Sequence, residues 1–378
     1  MNKKLLIAAV GAALVAGPMM AAQAAPTVYG HFHESLDRYD NGGTTERGLL
    51  NSNSTRFGIK GDEDLGGGLK AIYQVESGVF NADDGTSGFG NTLRNTYMGF
   101  AGSSWGSVKL GRHDAPTKDL SRKLDAFNEE YGDMRVLVGN AAFDNRISNM
   151  VRYDSPSFAG VQFALLYGTP EADTTTTTTA STATTNTVTT TANPRTTSAN
   201  VTWSQGPIWL GLGYEIHAAH NSTAKDPTDL RLAGKFNVTN DFYISALYDT
   251  MTDLGTTATN TINGVGLDGN DGKAWSVGAG FKMANNLFKL QYTKADKTDK
   301  AVTVGTSNDN GAKLWVVGVD HNLSKSTKVY FDYAKATNGN AATNNISSSY
   351  AGHGATNVPT PAAGKSPKGF SLGTIINF

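Results

Sequence analysis

The chain has 378 residues, with 32 basic and 33 acidic side chains and no cysteine. A charge this close to balance gives no electrostatic case for a nucleic-acid partner, and the missing cysteines exclude disulfides and thiolate metal sites. Hydrophobic content is only 39% with 43 glycines, and past the amino-terminus no apolar run reaches the length of a membrane-spanning helix; a β-barrel escapes that test, because only alternate residues touch lipid.

In chain order, residues 1–24 read as a secretory signal. Lys3 and Lys4 start it, Leu5 to Val15 form the apolar core, and Ala22-Gln23-Ala24 supplies a small-x-small cleavage site. Removing it leaves 354 residues with thirty basic and thirty-three acidic groups, a net charge of −3. Residues 25–378 then show no boundary that would separate a second domain. Period-2 alternation recurs along them: Leu69, Ala71, Tyr73 and Val75; Val161, Phe163, Leu165 and Tyr167; Ile208, Leu210, Leu212, Tyr214 and Ile216; Phe288, Leu290 and Tyr292; Val329, Phe331 and Tyr333. Each apolar face is backed by a polar or glycine face, the signature of half-exposed strands.

Connections alternate in length. Short turns such as GDEDLGGG between Lys60 and Leu69 alternate with long polar segments at 78–92, 114–145, 169–197, 218–228, 251–272, 296–311 and 337–367. Short turns on one side and long loops on the other are the asymmetry of an outer-membrane barrel, and the connections divide the chain into sixteen strands. Within 169–197, residues 174–193 hold thirteen threonines in twenty positions, a composition unable to bury a core and expected at an external loop tip.

The last nine residues place Phe370, Leu372, Ile376 and Phe378 on one face, and Ser371, Gly373 and Asn377 on the other. This resembles the closing strand of Gram-negative outer-membrane barrels, whose final aromatic residue is read by the barrel-insertion machinery. Other strings are similar to the general diffusion porins of Gram-negative bacteria: Val28-Tyr29-Gly30, Thr55-Arg56-Phe57-Gly58-Ile59-Lys60-Gly61 with Glu63 to Ala71, Val108-Lys109-Leu110-Gly111-Arg112, and Arg146 to Pro156. The resemblance spans the mature chain. It implies an all-β, sixteen-stranded antiparallel barrel in the outer membrane, surrounded by lipid and lipopolysaccharide and assembled as a homotrimer. It also implies a third external loop, here 114–145, folded into the lumen so that its acids oppose basic residues of the wall.

Strand phase selects the basic side. Phe57 and Ile59 face lipid, so Arg56 and Lys60 face in. Ile147, Val151 and Tyr153 face lipid, so Arg146 and Arg152 face in. Val28 and Phe32 face lipid, so Tyr29, His31 and His33 face in. Arg94 matches the family position but shares its phase with Met98 and Phe100, so it reaches the lumen only at a strand end or beside a bulge. His31 stands where relatives place a lysine. On the loop, Asp125, Glu129, Glu130 and Asp133 are the candidate acidic side. His31 and His33 form an i, i+2 pair that lacks a third ligand, so no metal is expected. Asp268, Asn270 and Asp271 lack the spacing of a calcium loop. No nucleophile–base pair or phosphate loop is present, so neither catalysis nor a cofactor is expected.

The expected function is passive diffusion of ions and small hydrophilic solutes. A substrate-preferring channel for an anion, amino acid or sugar is the alternative, with Trp209, Trp315 and Tyr330 as possible inward aromatics. A surface adhesin or receptor barrel is a third reading and would show no conductance.

Overall fold

Alternation along the chain becomes sixteen antiparallel strands in a computed structural model, which describes residues 25–43, 46–78, 92–139, 143–169, 172–173, 191–192, 195–218, 225–254, 271–298, 309–347 and 359–378. The signal segment 1–24, most of the threonine-rich stretch 174–193, and Asp268 and Asn270 lie outside the described residues. The strands are β1 (Thr27–Asp40), β2 in two pieces (Glu46–Ser52 and Arg56–Gly66), β3 (Leu69–Gly78), β4 (Thr96–Gly102, preceded by the short piece Thr92–Leu93), β5 (Gly106–Asp114), β6 (Arg146–Asp154), β7 (Val161–Gly168) and β8 (Arg195–Gln205). They continue with β9 (Ile208–Ala218), β10 (Thr228–Asn237), β11 (Phe242–Thr252), β12 (Gly272–Met283), β13 (Asn286–Ala295), β14 (Ala312–Asn322), β15 (Thr327–Asn338) and β16 (Lys368–Asn377). Outside the barrel, Ala172–Asp173 pairs with Thr191–Ala192 at the base of the threonine-rich segment.

Each strand pairs with its sequence neighbours, and β16 pairs with β1 from His31↔Asn377 to Asp40↔Lys368, which closes the sheet. Closure leaves no unpaired edge, the condition for strands to cross hydrocarbon. Phe378 completes the seam. Its N–H donates to the Gly30 carbonyl at 3.2 Å, Gly30 N–H donates back at 3.0 Å, and its ring stacks on Phe32 at 5.6 Å between centroids. The outer surface carries the expected apolar side chains, among them Val75, Met98, Phe100, Val151, Phe163 and Leu165.

Two expectations need correction. The GDEDLGGG segment is mostly strand: β2 continues to Gly66, and the turn is Gly67–Gly68, with φ of +60° and +80°. Both angles lie in the left-handed region, which glycine adopts without a Cβ clash. Trp315 points outward, 51% exposed, and packs on Tyr292 at 4.3 Å. The run Leu314-Trp315-Val316-Val317 is apolar on both faces, so composition does not reveal its phase; Leu314 and Val316 are the buried, inward pair.

The inward face is not uniformly polar because the segment joining β5 to β6 lies against it. Helix α1 (Pro116–Leu124) places Leu120 and Leu124 four residues apart on one side, where they pack with Met134 and Val138 on Ala233, Leu247 and Ala274. A second cluster sets Phe127, Tyr131, Val136 and Leu137 against Leu314, Val316, Ala334 and Ala336. Each large apolar side chain buried there contributes about 1.5–3 kcal/mol. Gly211 and Gly213 on β9 make room for α1, since a Cβ at either would stand 2.7 or 2.9 Å from Leu120.

Close strand approach is least forgiving at Gly99 on β4, where an added Cβ would stand 2.0 Å from the Val108 carbonyl oxygen of β5. Gly99→Ala should destabilise the barrel by about 2–3 kcal/mol, the upper part of the ordinary range for point mutations. Gly48→Ala, with nothing within 4 Å, should be near neutral. The temperature at which the folded gel band converts to the unfolded one reads the difference; equal midpoints for G99A and the parent would refute it.

Candidate functional site

The basic side is assembled by irregular strand pairing. Between Glu34↔Ser52 and His31↔Arg56, β2 spends one more residue than β1, and Ser54 takes φ +52°. Between Ser77↔Leu93 and Gln74↔Tyr97, the β4 side likewise carries one extra residue, at Arg94–Thr96. On β6 the register against β5 shifts beside Asn149, at φ +50°. A one-residue bulge exchanges inside for outside along a strand. Arg94 therefore turns into the lumen although Met98 and Phe100 of the same strand face out, which satisfies the bulge condition set by its sequence phase.

Glu129 is the acceptor on which these side chains converge. Arg56 Nη1 donates to Oε2 at 2.8 Å and Oε1 at 3.0 Å, and Arg122 Nη2 to Oε1 at 3.1 Å. Arg94 Nη2 lies 3.5 Å from Oε1 and His31 Nε2 3.5 Å from Oε2. Burial would raise this carboxyl, but the guanidinium groups of Arg56, Arg122 and Arg94 outweigh it and hold Glu129 well below the usual carboxylate range. Its backbone φ of +66° is a conformation rarely adopted by non-glycine residues. The Glu129 N–H donates to Asp133 Oδ2 at 2.9 Å, which helps to hold that turn.

A second carboxylate extends the group. Asp114, at the end of β5, meets Arg146 at 3.1 Å, Lys118 at 3.3 Å and Arg122 at 3.6 Å. Arg94 Nε also donates to Glu76 at 2.6 Å. The connected set thus joins five cations (Arg56, Arg94, Lys118, Arg122, Arg146) to three carboxylates (Glu76, Asp114, Glu129).

The other expected site residues are placed elsewhere. Arg152 lies under the loop, 2.7 Å from both Asp119 and Asp154. Lys60 is exposed, 5.0 Å above the Tyr29 ring, without contact to the loop. Asp125 accepts from the Phe127 and Met134 N–H groups at 2.9 Å and from Gln291 Nε2 at 3.0 Å, so it shapes the loop and ties it to β13. Asp133 is fully buried and serves the N–H groups of Glu129 and Arg135. Neither Asp125 nor Asp133 faces the wall arginines: loop N–H groups, Gln291 and the loop's own Arg135 guanidinium occupy their oxygens. Glu130 points the opposite way from Glu129, to Lys289 on β13 and to Lys328 on β15 at 2.7 Å. Both lysines also reach Asp320, at 2.7 and 2.8 Å.

Glu76, Lys289 and Lys328 were among the inward polar positions of their strands, but alternation alone does not say which of many such positions the loop reaches. A further unanticipated group fixes the far end of the loop. Arg231, fully buried on β10, bonds Asp249 at 3.0 Å, Asp144 at 2.7 Å and the Thr117 carbonyl at 3.1 Å, with Asp229 at 3.3 Å. Asp249 in turn accepts from the Gly139 N–H at 2.7 Å.

Residues 7–341 match the model of the Gram-negative porin family. The chain belongs to the Gram-negative porin family. It is similar to an outer membrane porin of Delftia acidovorans, 28% identical over 354 residues that cover 90% of this chain and 91% of that one. An outer membrane porin of Bordetella pertussis is 30% identical over 187 residues, 48% of this chain; there the match spans only 47% of the relative. Among solved structures, the anion-selective porin of Comamonas acidovorans superposes with a TM-score of 0.72 at 26% identity, covering 94% of this chain and 99% of that one. Salmonella typhi OmpF shares the fold, with a TM-score of 0.67 at 15% identity and coverage of 93% and 97%. This porin is accordingly an outer-membrane channel and not an enzyme.

Two predictions concern the loop. Arg231→Met leaves Asp229 and Asp249 buried without their cation, and Asp144 with Arg135 at 3.7 Å, a change that typically costs about 3–5 kcal/mol. The barrel should still assemble while residues 114–145 become cleavable by trypsin; a resistant loop in R231M would show that apolar packing alone holds it. The second concerns acid. Burial opposed by Lys289 and Lys328 leaves the Glu130 carboxyl depressed to about 2. A depressed acid stabilises the folded state above its ordinary value near 4.5, and the contribution is lost as pH falls through about 2. Trypsin does not act in that range, so pepsin cleavage of the loop is the readout. It should be negligible at pH 4 and rise steeply toward pH 2, and Glu130→Gln should already be cleaved at pH 4.

Proposed function

We propose that this porin is a passive diffusion channel whose narrowing lies beside the ion-paired cluster that joins Glu129 to the arginines of β2, β4 and β6, and that it prefers small anions. The observation that carries the preference is the excess of cations in the connected set, five against three carboxylates. In a water-filled constriction between low-dielectric walls, such an excess raises the local concentration of anions and slows cations. Glu129, hydrogen-bonded within that cluster, offsets part of its positive charge. The anion selectivity of the Comamonas relative is consistent with this reading.

The remaining roles follow the family. The chain would work as a homotrimer embedded in outer-membrane lipid and lipopolysaccharide, with Phe378 as part of the signal for barrel insertion and the threonine-rich segment outside the permeation path. The three aromatics do not form an exposed inward track for a sugar: Trp315 packs on Tyr292 at the outer face, Trp209 packs on the loop's inner cluster and Tyr330 is buried behind His33. An adhesin would give no conductance in planar bilayers, whereas a diffusion channel gives stable steps.

Reversal potentials in a salt gradient test the site. Glu129→Gln should move the potential toward stronger anion selectivity, and Arg56→Met combined with Arg94→Met should move it toward cations. Glu130→Gln should produce the smaller shift, because its neighbours are Lys289, Lys328 and Asp320 rather than the arginines. All shifts should shrink at 1 M salt, where the Debye length is about 3 Å. If the Glu129 and double-arginine variants keep the parental potential at low salt, the narrowing lies elsewhere.

A further inference from the structure

We propose that His31, His33 and Glu129 form a site for a borderline transition-metal dication, Zn2+ or Cu2+, between the barrel wall and the loop. One ligand atom from each of the three residues lies within 4.8 Å of the others. The histidines come from alternate positions of β1, and the carboxylate from the loop tip. The fold therefore supplies the third ligand that the His31–His33 pair lacks in sequence.

The spacing suits a small tetrahedral ion. Metal–nitrogen and metal–oxygen bonds of about 2.0–2.1 Å place neighbouring ligand atoms about 3.4 Å apart. His31 Nε2 and Glu129 Oε2 are 3.5 Å apart. His33 is set close to His31, with ring centroids 5.7 Å apart and planes at 89°, so a modest ring movement brings the third atom into the same shell.

Both rings are oriented from behind, as metal-binding imidazoles commonly are. His31 Nδ1 stands 2.7 Å from Asn377 Oδ1. An amide oxygen only accepts, so the proton is on Nδ1 and the Nε2 lone pair points toward Glu129. His33 Nε2 stands 2.8 Å from the Tyr330 hydroxyl; with Nε2–H donating to that oxygen, Nδ1 carries the lone pair and is the ligating atom.

The surroundings choose the class of ion. Arg56, Arg94 and Arg122 already neutralise Glu129, so an ion bound by charge alone is disfavoured. Calcium and magnesium need several oxygens and find one residue that offers them. Zinc and copper draw affinity from imidazole nitrogen, which two of the three ligands supply. Occupancy would add two positive charges beside Glu129.

The site goes beyond the diffusion reading and is tested without conductance. The mature chain, folded in detergent, is titrated with zinc chloride by calorimetry, and its Cu2+ form is examined by electron paramagnetic resonance. The expected result is one zinc per chain and a copper spectrum with two coupled nitrogens. His31→Gln should lower zinc affinity by at least about tenfold, and Tyr330→Phe, which removes only the hydroxyl behind His33, by about tenfold. His321→Gln, on an exposed side chain near the β14 end, should leave affinity unchanged. Parental affinity in both H31Q and Y330F, or copper coupled to a single nitrogen, would overturn the proposal. Should H31Q fail to give the folded gel band, Y330F alone decides.

Discussion

Apolar packing of the loop between β5 and β6 against the inner wall is the interaction on which the rest of the lumen depends. Once the sheet is closed and its outer face given to lipid, the only dry surface left to Leu120, Phe127, Tyr131 and Val138 is the inward side of β9–β15. That contact moves the loop off the barrel axis. It also brings charged side chains into low-dielectric surroundings, where each must find a partner. Arg231 with Asp144 and Asp249 at one end, and Glu130 with Lys289 and Lys328 at the tip, are the resulting ion pairs. They are expensive to break and so fix the path of the loop more than they add to its net stability.

The wall contributes irregularity where function is gathered. A regular strand would send Arg94 outward with Met98. One additional residue at that height reverses the direction, and a comparable step in β2 precedes Arg56. Local loss of ladder hydrogen bonding is compensated there by side chains: Thr55 Oγ1 accepts from the His33 N–H at 3.0 Å, and Gln74 Nε2 donates to the Asn95 carbonyl at 3.2 Å.

Much of this was legible in the residues. Alternation and connection length give the barrel and its sixteen strands, and phase alone places Arg56 inside, because Phe57 and Ile59 on its flanks are unmistakably apolar. The acidic side was less legible. Asp125, Glu129, Glu130 and Asp133 look alike in sequence, yet they divide into one carboxylate for the wall arginines, one for the lysines and two that brace the loop itself, Asp133 through Arg135 and Asp125 through backbone N–H groups and Gln291. That division depends on the turn at Glu129 and on which wall positions lie across from it, neither of which has a local signal. Trp315 failed for the opposite reason: its segment is apolar on both faces, one toward lipid and one toward the loop, so periodicity carries no direction.

Glu129 and Glu130 are consecutive, yet their side chains are tied to different stretches of the wall, β2 on one side of the seam and β13 and β15 on the other. The left-handed turn at Glu129 is what lets neighbouring residues diverge in this way. Mechanically, the loop tip ties β2 to β13 through one peptide unit, about 3.8 Å between Cα atoms. Electrical character and aperture are therefore not independent properties in this porin. A change that lets go of either side shifts the position of the charge on the other.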